Sequence, residues 1–224
     1  LQLLNKQVLL VGLENGYAEV SQLNGAVLKR VKGYENIQSA YRFPDGRTLL
    51  GQDGDGLKFY ILDKSDKLIK SFSVKGKYLR LTDVTEDEKL LFTSGEPWMG
   101  VCTDLDGKIL STVPLPDKGY RLYALDNGHF LTSTGESSML CEIDGHGSVL
   151  KTYGSKNIHP EAQLQWFSGY QTLDDNVIVA NWLGHGKRGK GPHLLEFNSN
   201  NEIVWSWTDH NTAIQITNFI ILSD

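Results

Sequence analysis

The sequence predicts an all-β protein, a five-bladed β-propeller with four-stranded antiparallel blades. Three observations carry that expectation. One plan of strands and turns recurs about every 40 residues, which is the length that four short strands and their loops require. The recurring turns are built from Asp, Asn and Gly, which supply the backbone conformations of tight hairpins. No stretch shows a convincing 3.6-residue apolar period, so helices are expected to be nearly absent.

The clearest copy of the plan opens with Ile37-Gln38-Ser39-Ala40-Tyr41-Arg42-Phe43, turns at Pro44-Asp45-Gly46 and continues as Arg47-Thr48-Leu49-Leu50. A Gly54-Asp55-Gly56 loop leads into Lys58-Phe59-Tyr60-Ile61-Leu62, and a turn at Asp63-Lys64-Ser65-Asp66 leads into Leu68 to Val74. The second copy carries Leu90-Leu91-Phe92 and Thr103-Asp104-Leu105-Asp106-Gly107. The third carries Phe130-Leu131-Thr132 and Glu142-Ile143-Asp144-Gly145-His146-Gly147, and the fourth Val177-Ile178-Val179 and Leu195-Glu196-Phe197-Asn198. Residues 155–165 read as an insertion ahead of the fourth copy. Strands of ~5 residues rich in Val, Ile, Leu, Phe and Tyr suit a half-buried pleated surface. Stacking such sheets radially buries the faces that a lone sheet leaves wet.

The two ends set the blade count. Val8-Leu9-Leu10-Val11, Tyr17-Ala18-Glu19-Val20 and Ala26 to Val31 read as a blade lacking its first strand. Ile216-Thr217-Asn218-Phe219-Ile220-Ile221-Leu222 reads as the missing strand. The ring is therefore expected to close by N- and C-terminal strands sharing one blade, giving one propeller domain over residues 1–224. A longer native chain with six or seven blades is the alternative.

Composition limits the function. The net charge of −5 gives no ground for bulk nucleic-acid binding, and the basic run Lys187-Arg188-Gly189-Lys190 reads as a solvated loop. No apolar run approaches the ~20 residues of a membrane helix. Leu1 to Asn5 is not a signal peptide, although it suits the remnant of one. The two cysteines, Cys102 and Cys141, fall at matching repeat positions and read as small core residues. A periplasmic or extracellular monomer is expected.

Phe43-Pro44-Asp45-Gly46-Arg47-Thr48-Leu49-Leu50 and Glu196-Phe197-Asn198-Ser199-Asn200-Asn201-Glu202-Ile203-Val204-Trp205-Ser206-Trp207 resemble repeats of the quinoprotein-like propeller superfamily. They are most similar to its PQQ-repeat-like and arylsulfotransferase-like bacterial members. The resemblance rests on turn, core and outer-strand positions. It implies the fold and a bacterial, often extracytoplasmic, protein. No PQQ or Ca²⁺ site and no catalytic residue carries over, so no cofactor is expected.

Loops between second and third strands are candidate ligand-side positions, because loops vary on a rigid scaffold. They hold Glu14, Asp55, Glu96, Glu136 and, in the fourth copy, His185. The acids read either as solvated loop residues or as a partial acidic ring. The first strands supply Ser39, Arg80, Arg121, Gly169 and Asn218. Arg80 and Arg121 suit a carboxylate, sulfate or phosphate; otherwise they pair with Glu96, Glu136 or Asp83. On either reading these arginines are partnered.

The fourth copy differs from the rest. Its approach loop holds His159, Pro160 and Glu161, followed by Gln163, Gln165, Trp166 and Phe167. Its next loop runs from Asn181 and Trp182 through His185 and Arg188 to His193. Three of the six histidines and four of the five tryptophans fall between residues 159 and 207. Residues 159–193 are therefore expected to wall a pocket for a carbohydrate or a small anionic or polar ligand. Glu161, Trp166, Asn181, Trp182, Arg188, Arg80, Arg121 and Trp98 are its binding candidates. The alternative is an enzyme, a lyase, hydrolase or transferase acting on an anionic saccharide or sulfate ester. His159, His185 and His193 would then do the acid–base work and the arginines would stabilise charge. Their spacings match no compact metal motif, and none is expected to hold a metal. Trp205 and Trp207 read as outer-strand packing. A WD-repeat-like interaction scaffold lacks its Gly-His and Trp-Asp signature here.

Overall fold

The structure is a computed structural model that describes residues 1–22, 24–186 and 189–222. It has the five-bladed β-propeller fold, with five four-stranded antiparallel sheets. Within every sheet the strands lie side by side in chain order. The chain divides into two compact units, residues 1–112 and 113–224.

The first unit begins with β1 (Gln2–Asn5), β2 (Val8–Leu13), β3 (Gly16–Ser21) and β4 (Val27–Lys32). The second sheet is β5 (Ile37–Arg42), β6 (Thr48–Gln52), β7 (Leu57–Leu62) and β8 (Leu68–Val74). The third is β9 (Thr82–Val84), β10 (Leu90–Ser94), β11 (Met99–Thr103) and β12 (Ile109–Pro114), whose last strand crosses the boundary. One core of this unit, shared by the second and third sheets, centres on Phe59, fully buried, with Phe72 and Phe92 at 5.3 and 5.2 Å between ring centroids. Burying one such ring contributes roughly 1.5–3 kcal/mol.

The second unit holds β13 (Gly119–Ala124), β14 (Phe130–Thr134), β15 (Met139–Ile143) and β16 (Val149–Gly154). A 3-10 turn at Pro160–Ala162 precedes β17 (Trp166–Leu173), β18 (Asn176–Trp182), β19 (Leu194–Phe197) and β20 (Ile203–Trp207). That turn is the sole helical element among the described residues. Along β19 burial alternates, with Leu195 and Phe197 wholly inside, as a period of two demands. Leu140, Phe167, Val179 and Phe197 join one core.

One device recurs between third and fourth strands. Asp63 Oδ1 accepts the backbone N–H groups of Ser65 (2.7 Å) and Lys67 (3.0 Å). Asp104 does the same for Asp106 and Lys108, Asp144 for His146 and Ser148, and Asn198 for Asn200 and Glu202. Each side chain satisfies two turn donors and fixes the hairpin locally.

The expected shared blade is not what the chain builds. The first sheet is complete within residues 2–32, because β1 pairs β2 through Gln2↔Leu10 and Leu3↔Leu9. Asn5 Oδ1 accepts the Gln7 N–H at 2.9 Å and turns the chain back on itself, so closure spans only a few residues and carries little entropy loss. Residues 216–222, read as a strand from their apolar β-branched composition, form none. They run beside β17: the Gly169 N–H donates to the Thr217 carbonyl, and Gln171 Oε1 accepts the Ile221 N–H. Cys102 and Cys141 are both free thiols, and burial pushes Cys141 up to about 11.

Candidate functional site

The fourth sequence repeat forms the fifth sheet, and one side chain there bonds both to Gln165 ahead of β17 and to Pro192 ahead of β19. Asn181, near the end of β18, is fully buried. Its Oδ1 accepts the Gln165 N–H at 2.7 Å, and its Nδ2 donates to the Pro192 carbonyl at 2.9 Å. Gln165 of the approach loop and Pro192, just ahead of β19, are thereby tied to the end of β18. Asn181 was a ligand-binding candidate; here the backbone occupies its amide.

Beside this clamp lies a cleft of about 440 Å³. Glu161, Gln163, Ser206 and Thr208 give it polar groups, and Pro192, Leu195 and Ile203 give it apolar ones. None of those four polar side chains has a hydrogen-bond or ion-pair partner among the described residues. The expected candidate Glu161 is thus on the cleft wall, at the start of the 3-10 turn.

Trp166, Trp182 and His185 meet in a separate aromatic corner. Trp166 and Trp182 pack edge to face at 6.1 Å, and His185 stands edge-on to Trp182 at 5.1 Å. The Trp182 indole N–H donates to Gln215 Oε1 at 3.1 Å, and Gln215 Nε2 donates to the Gly184 carbonyl at 2.6 Å. Trp166 lies directly over Gly135, where an added Cβ would sit 2.2 Å from the ring. Its own Nε1 is buried without a partner.

The three candidate histidines have three different neighbours. His159 packs on Phe197 at 5.6 Å, with Nε2 buried and unpartnered. His193 is fully buried between Trp207 (5.4 Å) and His210 (4.5 Å), and neither of its ring nitrogens has a partner. His185 is exposed. Among the described residues, no group of three or more His, Cys, Asp or Glu side chains is arranged to hold a metal ion. Arg188 lies outside the described residues.

Arg121, in β13, donates to the Tyr170 carbonyl at 2.7 Å and lies over the Tyr170 ring at 4.9 Å. Glu136 takes an ion pair from Lys118. In the first unit, Arg80 precedes β9 instead of lying in it, and donates to Asp53 Oδ2 (3.2 Å) and the Leu79 carbonyl (2.8 Å). Both arginines are engaged, as either sequence reading requires. Trp98 stacks on Tyr78 at 5.6 Å. Glu14 lines a cavity of about 510 Å³ with Arg30 and Glu35.

Sequence reasoning passed over Ser206, Thr208, Gln215, His210 and Tyr78. Ser206 and Thr208 alternate with Trp205 and Trp207, which the sequence marks as outer-strand packing, and small hydroxyl residues between them carry no signal of their own. Gln215 and His210 lie between Trp207 and Ile216, a stretch to which the sequence assigns no element, and nothing local marks them.

Solved structures share the fold. A protein of unknown function from Bacteroides caccae is similar over 95% of this chain and 81% of its own, at 18% identity and a TM-score of 0.77. The WD40 β-propeller domain of Doa1 is similar over 94% and 68%, at 10% identity and a TM-score of 0.64. A functionally unknown protein from Desulfotomaculum acetoxidans is similar over 90% and 66%, at 12% identity and 0.60. At such identities the likeness shows the β-propeller fold alone. No family model and no curated protein matches the chain. No helix among the described residues is long and apolar enough to cross a membrane.

Proposed function

We propose that this protein is a ligand-binding β-propeller whose site is the cleft of the fifth blade, and that its ligand is a carbohydrate or a similar small, hydroxyl-rich molecule. One observation carries the reading: Glu161, Gln163, Ser206 and Thr208 line one cavity with their side chains unengaged. A carboxylate and two hydroxyls accept, while an amide and two hydroxyls donate, so the set suits a ligand that does both. The cavity of about 440 Å³ falls in the ~300–1,000 Å³ range of small-molecule sites. Binding is favoured over catalysis because His159, His185 and His193 each pack on a different aromatic neighbour. Membership of the quinoprotein-like superfamily and an extracytoplasmic home belong to this proposal. The superfamily reading is supported by the Asp/Asn turns and the Trp-bearing β20, and the location is what that resemblance implies.

Calorimetric titration with neutral hexosides, uronic acids and sulfated sugars tests the reading. Glu161→Gln is expected to weaken the best ligand about tenfold, roughly the value of one charge-assisted hydrogen bond. Ser206→Trp fills the cleft from an exposed position and is expected to abolish binding. Binding that survives Ser206→Trp places the site elsewhere.

A further inference from the structure

The first unit holds a part-exposed aromatic pair on a backbone that a half-buried carboxylate keeps in an unusual conformation. Tyr78 has φ of +64°, in the left-handed region that a bulky L-residue enters only at a strain of roughly 1–3 kcal/mol. A carboxylate imposes it. Asp53 Oδ1 accepts the N–H groups of Tyr78 (2.9 Å) and Leu79 (3.2 Å), while Oδ2 holds Arg80. Arg80, a residue expected to bind ligand, here helps fix Asp53.

The strained backbone sets the Tyr78 ring beside Trp98, with centroids 5.6 Å apart and planes only 23° from parallel. Gly95 makes the stack possible, since a Cβ there would lie 2.9 Å from the Tyr78 ring and 3.1 Å from that of Trp98. Yet Tyr78 stays 38% exposed. A residue selected for packing would be buried, and among the described non-glycine residues with positive φ Tyr78 is the only aromatic one, the others being Asn, Asp, Ser, Glu or Gln. An exposed ring held in strain, nearly parallel to a second ring, is a surface prepared for something flat.

The rim has the polar groups such a ligand needs. Lys77 bridges Gly95 in the backbone, so segments 77–80 and 95–98 run side by side. The Lys77 ammonium and the Glu96 carboxylate have no partner among the described residues, and both are exposed. One donates and the other accepts.

We propose that the open face of Tyr78, backed by Trp98, forms a stacking plate for a pyranose ring, with Lys77 and Glu96 as hydrogen-bond partners of its hydroxyls. The C–H face of a sugar buries against the aromatic plate while its hydroxyls reach the rim. The site lies in the first unit and does not depend on the cleft of the fifth blade.

The test is ¹⁹F NMR on protein carrying 5-fluorotryptophan, with the Trp98 resonance assigned through Trp98→Phe. The probes are methyl glucoside, methyl galactoside and cellobiose, with indole and adenosine as aromatic controls. A pyranoside is expected to move the Trp98 resonance saturably and leave that of Trp166 in place. Tyr78→Gly is expected to weaken this response at least tenfold and to keep the melting temperature within ~2 °C of the parent, since glycine adopts the backbone freely. The proposal is overturned if no pyranoside moves Trp98, or if only the aromatic controls do. It is equally overturned if Tyr78→Gly keeps its affinity, or melts several degrees lower as a packing residue would.

Discussion

Asn181 and Gln165 are joined at 2.7 Å, side-chain oxygen to backbone N–H, and that contact links the last blade's second strand to its approach loop. The same amide reaches Pro192 on the far side of the β18–β19 loop. Asn181→Ala removes both bonds and leaves the Gln165 N–H and the Pro192 carbonyl without their buried partner, at about 2–3 kcal/mol. A fall of ~5–10 °C in melting temperature is expected, together with loss of any ligand response of the cleft. Asn181→Asp tests the geometry, because a carboxylate cannot donate to the Pro192 carbonyl. It is expected to destabilise at neutral pH, as measured by circular dichroism melts.

Acid stability follows from the turns. The backbone N–H groups of Ser148 and then His146 hold the Asp144 carboxyl below its ordinary range. The unfolded chain therefore binds the proton more readily than the folded one. The contribution is complete above the ordinary carboxylate range, near pH 4, and is lost as pH falls through the lower folded value. Asp144→Asn keeps the acceptor and removes the titration, as Asn198 already does in the fifth blade. Between pH 6 and pH 3 the variant is expected to lose less melting temperature than the parent. Equal losses would mean that this carboxyl does not report on acid unfolding.

His193 offers a contrasting prediction. Its ring is fully buried, with both nitrogens unpartnered against Trp207 and His210. Removing an unsatisfied buried polar group while keeping the volume is neutral or stabilising. His193→Leu is expected to melt no lower than the parent in differential scanning calorimetry. A drop of more than ~5 °C, worth more than about 1 kcal/mol, would show that the imidazole has a partner in solution.

The repeat was legible because its carriers act locally. Asp63, Asp104, Asp144 and Asn198 each satisfy donors within four residues, so spacing alone reveals them. The crowding of His and Trp after residue 159 likewise singled out the blade that carries the cleft proposed as the site. What stayed hidden depends on contacts made at a distance in the chain. Tyr78 takes its backbone angle from Asp53, 25 residues earlier. Gln215 meets Trp182 across 33 residues. Residues 216–222 misled for the opposite reason. Their β-branched composition suits a strand, but β1 had already taken the ladder position they were assigned.

That completion of the first sheet by Gln2–Asn5 has a kinetic meaning. All five sheets are stitched from uninterrupted stretches of polypeptide, so no hairpin waits for a partner synthesised two hundred residues later. Nascent chain leaving a ribosome can zip each sheet as it emerges, and the search for long-range pairings that slows many β-proteins is largely avoided.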